Sequence, residues 1–540
     1  MTSSLSRSRS RRAPSHSAVR VAHAVLGGLI AVGWLVLPLA RAGSGDGPAV
    51  ARSAEATAPA AASEDGTETG DLVPPLVAVG AAGVLAAYTY TRRRRRATTR
   101  TTPGGDGGGV ISLRELDLLA KRSLVDIDNC VRTGAEELDI AAARSTHEAA
   151  EPYADALTYA AAELAAAFRL RQRLDEADAG VGKGAGGSRR VLEEIVARCR
   201  DAGRRLDAAA PGFDQLRALE RNTPAALESA GTRFRELAGR TPAAAAELAE
   251  LHRRYAPTAS FPVVGDVEQA KDRLVFTTRH LDRARRYADR GDSARAAAHL
   301  RAAEGAVQQA AVLVDGVDRL AGELASAAAE LPAALSAAEA ALGAAGELPP
   351  AEGTDKDTGG RTGPFGRAGV LLSGVRRETA AGPYDPLDAL RRVAEAGALL
   401  AGAGGDDVLG ERAHALLPAH SALAGAADYI GTHRGAVACE ARTRLAEADR
   451  LLGPGPTTLV AVRRADELAR EARRLAERDV RAYGHPGGDH DDTGAGGAVL
   501  GGILLDDGAG PVSYGGPHTR GRRAASFSGT GTGTGTSTGT

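Results

Sequence analysis

One stretch limits what this chain can be. Leu72 to Arg96 reads LVPPLVAVGAAGVLAAYTYTRRRRR, and the nineteen residues from Leu72 to Tyr90 carry no charge. As a helix they would extend about 28 Å, close to the hydrocarbon thickness of a bilayer. Tyr88 and Tyr90 stand at the exit, where amphipathic rings favour the interface. Arg92, Arg93, Arg94, Arg95 and Arg96 follow at once. Arginine resists translocation, so this end should stay in the cytoplasm, and the five guanidinium groups can also hold anionic lipid. The stretch predicts a transmembrane helix over 72–91 and a basic juxtamembrane linker over 92–110. The bulk of the chain then faces the cytoplasm from the cell membrane.

The residues before the span fit that topology. Arg7, Arg9, Arg11 and Arg12 precede an apolar run from Ala24 to Ala40, and Ala40-Arg41-Ala42 is a small-x-small site. This is a signal-peptide layout over 1–42, with a run long enough to serve as an uncleaved signal anchor instead. Residues 43–71 are a short exported segment rich in Ala, Ser, Thr, Gly and acidic residues, too small to bury a core.

Beyond the linker the pattern is helical. Aromatic residues are only 3% of the 540, while Ala, Leu and Arg are abundant, which favours long helices over a sheet core. Ser112-Leu113-Arg114-Glu115 is a capping box. Leu113, Leu116, Leu124, Ile127, Val131 and Leu138 then follow the three-and-four spacing of a helix seam, with Ala120 on the same line and Gly134 in the skipped slot. The reading is an all-α fold of elongated antiparallel hairpins or a coiled-coil bundle. A first helical region covers 111–342, with a turn at Pro211-Gly212. A mostly flexible insert covers 343–385, flexible over Gly343 to Gly366 with a fragmented helical stretch beyond it, and a second helical region covers 386–483 with one helix running from Val408 to about Leu452. The Gly-rich tail, 484–540, is expected to be disordered. Many seam positions are alanine, which gains little on burial, so self-association or a helical protein partner is expected.

No residue pattern specifies a reaction, metal or cofactor. Gly180-Val181-Gly182-Lys183-Gly184 lacks the Ser or Thr of a phosphate loop and joins two helices. His485, His490, Asp491 and Asp492 lie in the Gly-rich tail without a preorganising element. Cys130, Cys199 and Cys439 are far apart and form no CxxC pair. A formal net charge of −1 gives no electrostatic case for nucleic acid.

Several stretches carry a family resemblance: AAFRLRQRLDE (Ala166–Glu176), FDQLRALERNTP (Phe213–Pro224), LHRRYAPTA (Leu251–Ala259) and YIGTHRGAVACEARTRLAEADRLL (Tyr429–Leu452). GGAVLGGILL (Gly496–Leu505) and HTRGRRAASF (His518–Phe527) in the tail add to it. The chain after the span resembles the cytoplasmic helical region of actinobacterial TPM-domain membrane proteins. The resemblance implies a signal peptide, an exported TPM domain, one span and this helical region. Residues 43–71 are far too short for a TPM domain, so the phosphatase-like or metal-binding residues of that domain have no counterpart here. The expected function is a membrane-anchored cytoplasmic scaffold without catalytic activity of its own. The alternatives are a non-catalytic partner or regulator of an intact TPM-domain protein, and an envelope-stress or secretion adaptor.

Overall fold

The computed structural model describes residues 111–179, 185–347, 363–401, 409–455, 457–483 and 513–520. The signal, exported and transmembrane segments lie outside the described residues, as do Arg92, Arg93, Arg94, Arg95 and Arg96, the Gly180–Gly184 loop, and His485, His490, Asp491 and Asp492. Among the described residues no helix is long and apolar enough to cross a membrane.

Helix is the only regular structure among the described residues. Eleven helices run in order: α1 (Leu113–Ala142), α2 (His147–Ala179), α3 (Ala185–Arg217), α4 (Thr223–Arg254), α5 (Asp266–Asp289), α6 (Ser293–Glu347), α7 (Pro364–Ala381), α8 (Pro386–Ala401), α9 (Leu409–Thr432), α10 (Cys439–Leu452) and α11 (Leu459–Tyr483). A one-turn elbow, Pro257–Ser260 and Phe261–Val263, joins α4 to α5.

The first three helices form one packed group. At the start of α1 the Ser112 hydroxyl accepts the Glu115 N–H, and the Glu115 carboxylate accepts the Ser112 N–H at 3.1 Å, which closes the capping box. Leu116, Ala120, Leu124 and Ile127 are buried against Phe168, Leu192, Ile195, Leu206 and Phe213 of α2 and α3. Leu113, Val131 and Leu138 pack half-buried on the same core. The seam is therefore used up inside the chain. Cys130, Cys199 and Cys439, remote in sequence, share this core. Burial raises all three thiols, Cys130 to about 11 and Cys199 to about 12, so none is a nucleophile near neutrality.

The 55-residue α6 is the spine of the middle group. It is about 80 Å long. Its buried line Leu300, Ala303, Val307, Ala310, Val314, Val317, Leu324, Ala327, Leu331 and Ala334 keeps helical spacing for most of that length. Helices α4, α5, α7, α8 and α9 pack along it. In the last group α11 lies on α9 and α10, and α10 turns back onto α1 and α2.

Four sequence expectations are corrected. Pro211 sits inside α3, and the chain turns only at 218–222, where Ala218 adopts φ of 42°. The fully buried Phe213 draws the helix onward, and Gly212 leaves room for the Tyr153 hydroxyl, 2.7 Å from where a Cβ would lie. These contacts outweigh the lost N–H of an interior proline. Second, α6 runs on to Glu347, and Pro364–Ala381 is a helix within the stretch read as mostly flexible. Ala368, Leu372 and Val375 bury one face of α7 against α6 and α8. The Gly, Pro and Asp content of the whole stretch conceals that short periodic run. Third, the helix expected from Val408 to Leu452 breaks at His433–Ala438. Fourth, part of the tail is folded down onto α1–α3. The last two corrections define the candidate site.

Candidate interaction site

The carbonyls at the end of a helix need partners. At the end of α9 two buried arginines supply them. Arg442 of α10, 1% exposed, donates its Nε to the Val437 carbonyl at 3.2 Å and one Nη to the Arg434 carbonyl. Its other Nη bonds the Asp128 carboxylate and the Asn129 side chain of α1, the latter at 2.9 Å. Arg273 of α5, also 1% exposed, donates to the Thr432 carbonyl at 3.3 Å, the Gln269 carbonyl at 3.0 Å and Gln309 of α6 at 3.1 Å. Burial pulls the Arg273 guanidinium down to about 10, so it stays charged at neutral pH. Arg434 then forks onto Glu136 of α1 at 2.7 and 3.0 Å. The α9–α10 joint is clamped in this way to α1, α5 and α6. Gly431 and Gly435 are the only local signal of the break, and apart from Arg442 its partners, Arg273, Asp128 and Glu136, lie far away in the chain.

His433 lies within the joint, 7% exposed and stacked on Tyr429 at 4.3 Å. Burial, with Arg273 and Arg473 nearby, lowers it to about 4, although the Tyr429 carbonyl opposes the shift. His280, packed on Phe276 and facing His299 with the two Nδ1 atoms 3.3 Å apart, is lowered to about 4, again first by burial. Both folded values lie below the unfolded value, about 6.5. Their stabilising contribution is complete above that pH and is lost as pH falls toward 4. Asp266, raised to about 6 mainly by burial, acts with the opposite sign and gains stability on protonation over pH 6 to 4. Each of these two histidines therefore contributes a loss of stability between pH 7 and pH 5.5. His433→Gln should remove about 1 kcal/mol of that loss. Thermal melts of the two proteins across this range check the result.

A cavity of about 300 Å³ opens between the elbow, α6, α9 and α11. Its wall mixes Leu313, Leu320 and Leu387 with charges that are mostly paired. Arg319 donates to Asp428 at 2.6 Å. Arg473 lies 4.0 Å over the Tyr429 ring and bonds the Pro262 and Gly425 carbonyls at 3.1 and 3.0 Å. These contacts bind the elbow and α6 to α9 and α11, and on the same wall the Ser421 hydroxyl donates to the Glu323 carboxylate at 2.6 Å. Among the described residues no group of three or more His, Cys, Asp or Glu could hold a metal ion.

The other feature is a groove on α1–α3 filled by Ser513–Arg520, SYGGPHTR. Tyr514 is 1% exposed; its ring stacks on Phe213 at 4.3 Å and meets Tyr153 edge-on at 6.2 Å. Its hydroxyl donates to the Tyr153 carbonyl at 2.8 Å, and burial raises its pKa, so it remains a neutral donor. Gly515 has φ of +149°, a conformation that favours glycine. A Cβ on Gly516 would collide with the Gly203 carbonyl, and one on Gly203 would lie 3.0 Å from Pro517. Backbone therefore meets backbone at this point. Thr519 closes the seat: its N–H and hydroxyl both donate to Asp207 at 2.9 and 2.7 Å. The sequence reading missed Tyr514 and Thr519 because tail composition predicts disorder. The available signal was one tyrosine, two glycines and a proline in sequence within a run otherwise poor in large side chains.

The described residues form an all-helical protein, with sites of mutual recognition between helices and for a short bent segment that ends in a hydrogen-bonded turn. Two curated Mycobacterium tuberculosis proteins are similar to it: UPF0603 protein MT2410 (strain CDC 1551 / Oshkosh) and UPF0603 protein Rv2345 (strain ATCC 25618 / H37Rv). Each is 32% identical over 420 residues, covering 74% of this chain. The chain spans 62% of the length of these relatives. No family model matches the chain, and no solved structure matches it.

Proposed function

We propose that this chain is a helical scaffold held at the cytoplasmic face of the membrane by Leu72–Arg96, and that it works by binding protein segments rather than by catalysis. The observation that carries this reading is the groove on α1–α3, which already holds a short bent segment by an aromatic plug, a glycine–glycine approach and a carboxylate grip. Recognition of this kind uses few side chains and a preformed surface, as in other peptide-binding modules. The 19-residue uncharged run and its five arginines support anchoring. Deleting Leu72–Arg96 should move the protein from washed membranes to the soluble fraction. Retention of the deleted form on washed membranes would refute the anchor.

A second reading draws on the relatives' greater length. A chain resembling the helical region of TPM-domain proteins could pair, as a non-catalytic subunit, with a longer relative that has the additional part. Co-purification of such a protein with the tagged full chain would favour this reading, and its absence would leave the scaffold reading alone.

A further inference from the structure

We infer that the groove on α1–α3 also accepts Ser513–Arg520 from a second copy of the chain, so that neighbouring copies link head to tail. The inference deepens the scaffold reading above and rests on it. Every recognised feature of the segment lies within residues 514–520, and its partners are all on α1, α2 and α3: Gly134, Tyr153, Gly203, Asp207 and Phe213. Nothing in the seat requires that segment and groove belong to the same chain. Between Tyr483, the last residue of α11, and Ser513 lie residues 484–512. A linker of that length can reach at most about 100 Å, enough to deliver the segment to an adjacent copy.

The rest of the fold offers no comparable exchange. The Leu113–Leu138 seam is buried among the chain's own helices. Arg442, Arg434 and Arg273 bind the C-terminal helices to the rest through buried bonds. The segment, by contrast, can leave its groove without unfolding a helix. Its own groove competes through an effective concentration in the millimolar range. Copies confined to a membrane surface approach such concentrations, whereas dilute copies do not. The contact joins two different surfaces, so it is heterologous and can extend into rings or rows.

The test uses the full chain in lipid vesicles with a photo-crosslinking phenylalanine analogue at position 518, where His518 is exposed. The expected result is an adduct to α3 near Asp207. Its intermolecular fraction should rise severalfold when the protein-to-lipid ratio is raised roughly tenfold. Mixing two differently tagged forms gives an independent reading. A probe-bearing form with Asp207→Lys in its own groove should label a Tyr514→Ala form on α3. Adducts to α3 that stay intramolecular at every density would overturn the exchange and leave the groove reading intact. Absence of any α3 adduct, including within one chain, would overturn the groove reading itself.

Discussion

Arg442→Leu should destabilise the helical unit by about 3–5 kcal/mol, because it removes one side of a buried charge contact and leaves the rest in place. Arg442 is 1% exposed and contacts two carbonyls, Asn129 and Asp128. Burial pushes Asp128 up, but Arg132 and Arg442 outweigh it and hold the carboxyl below its usual range. After the substitution Asp128 keeps only Arg132, at 3.0 Å, and the carbonyls of the α9–α10 joint lose their donor. Arg442→Lys should recover little, since an ammonium cannot span a fork of four acceptors. Asp128→Ala combined with Arg442→Leu should cost less than the two changes added separately, with a coupling of about 1–3 kcal/mol. Denaturant unfolding of the detergent-solubilised full chain, followed by helical circular dichroism, gives all three values. Additivity within error would show that the two side chains are not coupled.

Arg217→Leu should have an effect of similar size with a clear pH signature. Arg217 lies in the last turn of α3, between Glu137 of α1, at 3.2 Å, and Glu304 of α6. All three are buried. Burial raises Glu304, and Arg217 is the largest force opposing that rise. Without Arg217 two carboxylates remain together in the interior, with Arg301 3.7 Å from Glu137 and Arg144 acting on Glu304 from further off. The cost at pH 8 should be about 3–5 kcal/mol. The folded pKa of Glu304 would then lie still further above its unfolded value. Such a group gains stability as pH falls through its folded pKa, so the deficit relative to the unsubstituted protein should shrink toward pH 5. A deficit independent of pH would mean that lost packing, not the stranded carboxylates, accounts for the effect.

The two clamps bear on what the resemblance detected. FDQLRALERNTP contains Phe213 and Arg217, the floor of the tyrosine seat and the three-helix ion contact. YIGTHRGAVACEARTRLAEADRLL contains the α9 end, Arg434 and Arg442. AAFRLRQRLDE contains Arg171 and Gln172; Arg171 pairs with Asp117, and Gln172 accepts from Arg444 of α10 at 2.5 Å. HTRGRRAASF begins at the seated end of the tail, with Thr519 on Asp207. In a chain rich in Ala, Leu and Arg, these recognisable stretches coincide with polar locks between helices. Apolar stripes can be built from many interchangeable residues, whereas a guanidinium placed on fixed carbonyls and carboxylates cannot.

Local chemistry in the sequence was enough for helix type, the capped start at Ser112 and the inward line Leu116–Leu124–Ile127. Each depends on neighbours within one or two helical turns. Tertiary structure alone decided that Pro211 stays helical, that α7 packs where composition suggested a flexible insert, and that α9 ends at Thr432. It also decided that Ser513–Arg520 is seated rather than free. In each case the deciding partner is outside the local helix: Tyr153 for Gly212, α6 for α7, Arg273 and the Asp128 that holds Arg442 for the end of α9, and Phe213 with Asp207 for the tail. Periodicity and composition register only near neighbours, so burial by remote helices remains invisible to them until the chain has folded.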